Sequence, residues 1–169
     1  FFSRTGVQDH RCKKILIISC SSNVGREHTE RTEGCKKAFI EKGIEISQAC
    51  ILSLNTNFYS GYQFAINNYE FISKFDGIFA QADVIAAGII AGLKTVNISV
   101  PNDIKIIGYD DCLYSTLFNP FITTIHQPKE EITKKVIERL TQLLKENKQN
   151  NNEFIHSQIK PTLVLREST

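Results

Sequence analysis

The 169 residues carry 20 Lys and Arg against 18 Asp and Glu, with 41% hydrophobic and 22% charged residues, the balance of an ordinary globular protein. A net charge of +2 is too small to make a nucleic-acid surface, so Arg11, Lys13 and Lys14 read as a solvated loop. No apolar run approaches the roughly 20 residues of a membrane span, and Phe1 to Arg11 lacks the apolar core of a signal peptide, which points to the cytoplasm. Cys12, Cys20, Cys35, Cys50 and Cys112 are scattered with no C-x-x-C spacing, so they read as reduced core thiols rather than a zinc knuckle or a disulfide framework. The sequence contains no Met and opens Phe1-Phe2, and is therefore expected to begin partway through a longer protein.

In chain order, Lys14 to Ser19 (KILIIS) predicts a strand and Cys20 to Gly25 a small-polar loop. Glu27 to Lys42 predicts a helix with Cys35, Ala38, Phe39 and Thr32 on its apolar side and Gly43 as its stop. A strand follows from Ile44 to Leu52, then a polar loop from Asn55 to Ser60. Tyr62, Ala65, Ile66, Tyr69 and Ile72 recur at helical spacing. Asp76 to Ala80 predicts a short strand and Asp83 to Thr95 a helix. The small residues Ala86-Ala87-Gly88 and Ala91-Gly92 would admit a sheet or another subunit closely. Val100-Pro101-Asn102 breaks the chain before a strand from Ile104 to Tyr109. Strict alternation of strand and helix, with right-handed crossovers, gives an α/β fold: a doubly wound parallel sheet. Lys129 to Glu146 then predicts an amphipathic helix with Ile132, Val136, Ile137, Leu140, Leu143 and Leu144 in one stripe. Asn147 to Glu153 reads as a linker and Ile159 to Arg166 as a terminal strand.

The stretch DIKIIGYDDCLYSTLFNPFITTIHQ, from Asp103 to Gln127, points to ligand binding. Ile104, Ile106 and Ile107 supply a central strand, Gly108 is expected to let the backbone turn, and Asp110 and Asp111 fall where the strand ends. In open α/β sheets, ligands bind at that end. A carboxylate at Asp110 can accept from two vicinal hydroxyls of a polyol; the plainer reading is a turn or helix cap near Leu113. Neighbours in an extended segment point to opposite sides, so Asp110 and Asp111 make a poor glycosidase acid and nucleophile. His10, His28, His126 and His156 lack metal-ligand spacing, and no nucleophile motif is present. Neither catalysis, a metal nor a cofactor is expected.

Several motifs together resemble the effector-binding core of the LacI/GalR transcriptional regulators. They are Arg31-Thr32-Glu33-Gly34 with Lys37-Ala38-Phe39; Ile78-Phe79-Ala80-Gln81-Ala82-Asp83 with Ala86 and Gly88; Val100-Pro101 with Asp103-Ile104; Ile107-Gly108-Tyr109-Asp110-Asp111; Pro120 with Thr123-Thr124-Ile125 and Gln127; and Leu163-Val164 with Arg166-Glu167-Ser168-Thr169. The resemblance covers nearly the whole chain and implies a periplasmic-binding-protein-like type I fold. It implies a C-terminal lobe at 14–126, a hinge crossover with part of the N-terminal lobe at 127–163, and a tail at 164–169. It also implies a sugar or related metabolite between the lobes, a homodimer, and operator DNA bound only through an upstream headpiece absent from this chain.

Residue by residue, the resemblance makes Arg31 a ligand contact, complementing Asp110 across a cleft, where the sequence alone favours an ion pair with Glu27 or Glu30. It puts Gln127 at the lobe crossover, where its amide could join ligand and hinge. Phe118 falls in the region that helps form the dimer, although a core-packed Phe fits as well. Ala82 and Thr56 depart from the family, which often has a polar residue and a stacking aromatic at those positions; Phe58 or Tyr59 could substitute for the aromatic. His28, one turn before Arg31, is a further candidate contact, and Asp83 is expected to be a helix N-cap. The competing classes are a solute-binding protein of a sugar transport system and a flavodoxin-like enzyme. The latter would need a phosphate-cradling loop, of which Ser21-Ser22-Asn23-Val24-Gly25 is a thin version.

Overall fold

The computed structural model describes residues 14–21, 27–43, 50–146 and 157–169. Its strands are β1 (Ile15–Cys20), β2 (Ile51–Leu54), β3 (Gly77–Ala80), β4 (Lys105–Asp110), β5 (Thr123–His126) and β6 (Thr162–Val164). Its helices are α1 (Glu27–Glu41), α2 (Phe58–Asn67), α3 (Tyr69–Ile72), α4 (Asp83–Thr95), α5 (Tyr114–Leu117) and α6 (Lys129–Glu146). The strands form one sheet in the order β2-β1-β3-β4-β5-β6, with β1 to β5 parallel and β6 antiparallel to β5. Every residue of β1 is buried, as befits a central parallel strand covered on both faces.

The chain steps from β1 out to β2, then returns past β1 to β3, β4 and β5. With right-handed crossovers this places α1 on one face and α2 and α4 on the other. The order reverses beside β1, so the crevice at the C-terminal ends of β1 and β3 is the topological switch point where α/β sheets bind ligands. The core includes Leu16, Ile18, Ile72, Ile85, Ile89, Leu93, Ile104, Ile106 and Ile122, each contributing about 1.5–3 kcal/mol by leaving water.

Gly43 stops α1 as predicted, with φ 69° and its N–H donating to Ile40 O at 2.9 Å. Residues 44–49, expected to begin β2, lie outside the described residues. The polar loop predicted at Asn55 to Ser60 is overturned. Asn57 caps a helix there, accepting from Ser60 N at 2.8 Å, so α2 starts at Phe58. The small residues of α4 serve a helix rather than a sheet: a Cβ on Gly88 would meet Phe58 O, and one on Gly92 would lie 2.6 Å from Tyr62 O. Gly61 of α2 returns the fit against Ile85 O.

Gly108 lies inside β4 and does not turn the chain; a Cβ there would meet the Asp83 carboxylate. The turn comes two residues later, at Asp110 (φ 109°) and Asp111 (φ 50°). Among the four described cysteines only Cys20 is buried, so the expectation of core thiols holds for that one.

Of the residues 164–169 assigned to a tail, Val164 ends β6 and Ser168 is bonded to β4 and β5. Ile106 N donates to Ser168 O at 2.9 Å, Thr123 N donates to Ser168 Oγ at 2.8 Å, and that hydroxyl donates to Ile106 O at 2.6 Å. By contrast, the apolar stripe of α6 faces solvent, with Val136 58% and Leu144 74% exposed. Among the described residues no helix is long and apolar enough to cross a membrane.

Candidate functional site

Arg31 stands one turn into α1, over the end of β1. Its Nη1 donates to Gln81 O at 3.0 Å and its Nη2 lies 3.8 Å from Asp110 Oδ1. The guanidinium carbon sits 3.9 Å from the centre of the Tyr109 ring, a cation–π contact of about 0.5–2 kcal/mol. The same turn of α1 is fixed by Gln81 Nε2, which donates to Thr32 Oγ1 at 2.7 Å. Arg31 is therefore held against the ends of β3 and β4; the side chain of Glu27, one of its two expected partners along α1, lies outside the described residues.

Gln127 follows β5 and donates from Nε2 to Asp110 Oδ1 at 2.5 Å. Arg31, Asp110 and Gln127 thus converge, from α1, β4 and the segment after β5. Arg31 and Asp110 were expected to face each other across a cleft; they instead sit side by side on one rim, their side chains 17% and 31% exposed. Beneath them, burial raises the pKa of the Cys20 thiol above its ordinary value, opposed by a hydrogen bond with Thr56 and the Arg31 charge and assisted by the Asp110 charge. Cys20, the last residue of β1, is consequently a neutral thiol hydrogen-bonded to Thr56.

The two adjacent carboxylates diverge, although by a left-handed turn and not by the pleat of an extended strand. Asp111 Oδ1 accepts from Arg166 Nη2 at 2.6 Å and from Ser115 Oγ at 3.3 Å, and Oδ2 lies 2.9 Å from His126 Nδ1. Burial acts to raise the Asp111 pKa, but the bonds from Arg166 and His126 outweigh it and hold the carboxyl below its usual range.

Asp83 is not the helix cap it was expected to be. The cap position of α4 is Ala82, and the fully buried Asp83 side chain reaches across to β5 and the β4–α5 turn. It accepts from Thr124 Oγ1 at 2.6 Å and from Cys112 N at 2.9 Å.

Phe58 opens α2, its ring stacked on Phe118 with centres 5.2 Å apart and on Tyr62 at 6.4 Å. Phe118 also stacks on Tyr114, and both Phe58 and Phe118 pack against the core. His28 lies in the first turn of α1, but its side chain is outside the described residues. Sequence reasoning missed Gln81, Tyr109, Asp83 and Arg166 as partners of the site. Tyr109 and Gln81 were visible only as motif members, and nothing local marks Arg166 as reaching Asp111.

Residues 8–169 match the periplasmic binding protein-like domain. The chain belongs to that family. It is 31% identical over 153 residues to the HTH-type transcriptional repressor PurR of Photobacterium profundum, covering 89% of this chain and 45% of that protein. It is 30% identical over 159 residues to the ribose operon repressor of Haemophilus influenzae, covering 94% and 46%. This periplasmic binding protein-like chain thus spans under half the length of these curated relatives. Among solved structures, a periplasmic binding protein/LacI transcriptional regulator from Alkaliphilus metalliredigens complexed with D-xylulofuranose aligns with a TM-score of 0.78 and 28% identity, over 95% of this chain and 58% of that one. The fold and the LacI-type resemblance read from the motifs both stand, and these relatives are transcriptional repressors rather than enzymes.

Proposed function

We propose that this chain is the effector-binding core of a LacI-type transcriptional regulator and that its effector is a small, uncharged polyhydroxylated metabolite such as a pentose. The observation that carries this reading is the convergence of Arg31, Asp110 and Gln127 at the strand ends. A guanidinium offers several donors in one plane and a carboxylate several acceptor sites, which suits a ring of vicinal hydroxyls. The opposite charges of Arg31 and Asp110 balance, which favours a neutral ligand over an anionic one. Similarity to a protein complexed with D-xylulofuranose supports the same class. Phe58 and His28 would complete the ligand's surroundings.

In this reading 14–126 forms one lobe and 127–163 passes through a hinge into a second, with Gln127 at the crossover. The exposed stripe of α6 supports that division, since a second lobe would cover it. Phe118 lies in the same segment as the exposed Leu113, Leu117 and Phe121, the surface proposed to pair two copies. Effector binding would favour a closed arrangement of the lobes and, through it, alter operator binding by a DNA-binding headpiece. A thermal-shift screen of the natural protein against pentoses, hexoses and their phosphates tests the ligand class. An uncharged sugar raising the melting temperature is the expected result, and stabilisation by sugar phosphates alone would contradict it.

A further inference from the structure

The turn that presents Asp110 combines two non-glycine residues at positive φ, Asp110 at 109° and Asp111 at 50°. Such residues cost about 1–3 kcal/mol each and persist only where their surroundings over-determine them. Part of that determination comes from Asp83. Its Oδ2 accepts from Cys112 N at 2.9 Å. Its Oδ1 accepts from Thr124 Oγ1 at 2.6 Å, and the same hydroxyl accepts from Asp111 N at 3.4 Å. Two successive backbone N–H groups of the turn are thereby tied to one buried carboxylate, one directly and one through Thr124.

Other features agree. The carboxylate is fully buried, which is costly for an acid without partners, and Asp83 makes no use of that position to cap its own helix, whose cap residue is Ala82. Gly108 leaves the space that the carboxylate fills, since a Cβ there would meet Asp83 Oδ1.

We propose that Asp83 is a positioning residue for the effector site: through Cys112 N and Thr124 it locks the left-handed Asp110–Asp111 turn, and so aims the Asp110 carboxylate at Arg31 and Gln127. The inference rests on the effector reading for its functional consequence but not for its structural content. Asp83 touches no ligand; it acts through the backbone of its neighbours. Loss of the lock would leave the strand ends in place while the turn samples other conformations.

The test is amide hydrogen exchange on the full chain, followed by sugar calorimetry on the natural protein. Asp83→Asn keeps the shape and one acceptor oxygen, but its amide nitrogen cannot accept. Exchange at Asp111 and Cys112 should quicken about tenfold or more, as the loss of a buried charge-assisted bond implies, while β1 amides such as Ile17 stay as slow as before. Should Asp83→Asn fail to fold, Thr124→Val removes the relay to Asp111 N, and its exchange alone should rise. Unchanged exchange at both amides in a folded variant overturns the proposal. For the functional half, with D-ribose as the probe, Asp83→Asn should weaken binding in the wild-type background and add nothing in an Asp110→Asn background. If Asp110→Asn weakens binding and Asp83→Asn does not, the positioning role is wrong. If Asp110→Asn itself has no effect, the effector reading fails instead, and the exchange data alone decide whether Asp83 locks the turn.

Discussion

Asp111 lies in the turn to which Asp83 bonds from α4, and the two carboxyls have pKa values shifted in opposite directions. Burial raises the pKa of Asp83, against the bonds it accepts from Thr124 and Cys112, so the folded state holds that proton more tightly than the unfolded chain does. Its contribution to stability therefore falls as pH rises from the ordinary carboxylate value through the folded one. For Asp111 the bonds from Arg166 and His126 win over burial and lower the pKa. Its contribution is complete above the ordinary value of about 4 and is lost as pH falls through the folded value. Asp111→Asn should accordingly cost about 2 kcal/mol at neutral pH, the worth of a charge-assisted bond, and flatten the acid limb of stability. Urea unfolding between neutral pH and pH 3 measures both effects; an acid limb as steep as that of the wild type would contradict the assignment.

Among the elements, the contact between α2 and α4 is set by glycines, which let one helix backbone lie against the other. A Cβ on Gly88 would meet Phe58 O and one on Gly61 would meet Ile85 O. Gly88→Ala gains helix propensity but forces the helices apart, for a net loss of about 1–3 kcal/mol, readable as a lower denaturation midpoint. An unchanged or raised midpoint would show that the pair can separate freely. That small residues served close packing was legible in the sequence; that the partner was α2 was not, because Gly61 lay in what read as the approach to a later helix. The signal for α2 was Asn57, a capping residue ahead of Phe58 and Tyr59, obscured by the polar neighbours Asn55 and Ser60. The strands were easier to read. Ile15 to Ile18 is an apolar run buried throughout, and Ile104 and Ile106 are buried in and beside β4, as their place in a parallel sheet requires. Gly108 was misread because a glycine inside a strand and one at its end look alike until the carboxylate opposite is known.

For the whole molecule, the sequence yielded the parallel sheet and a ligand end at Asp110, and the family resemblance singled out Arg31 and Gln127, because strand ends and motif order are local signals. The supports of the site, Asp83 to Thr124 and Arg166 to Asp111, join residues 41 and 55 positions apart, a pairing that only the fold reveals. The same scale accounts for α6, whose Ile132, Val136, Ile137, Leu140, Leu143 and Leu144 stay exposed. A stripe of that size favours association, so the 169-residue chain should show concentration-dependent mass in light scattering, reduced by Val136→Ser with Leu140→Ser. A constant monomer mass at high concentration would count against this.

The central claim is that Arg31 and Asp110 grip the effector, and calorimetry of the natural protein with its best sugar from the thermal-shift screen tests it most directly. Arg31→Ala and Asp110→Asn should each weaken binding about tenfold or more, as expected when a partner is removed from a charge-assisted hydrogen bond, with the protein still folded. Wild-type affinity in both variants would contradict the account.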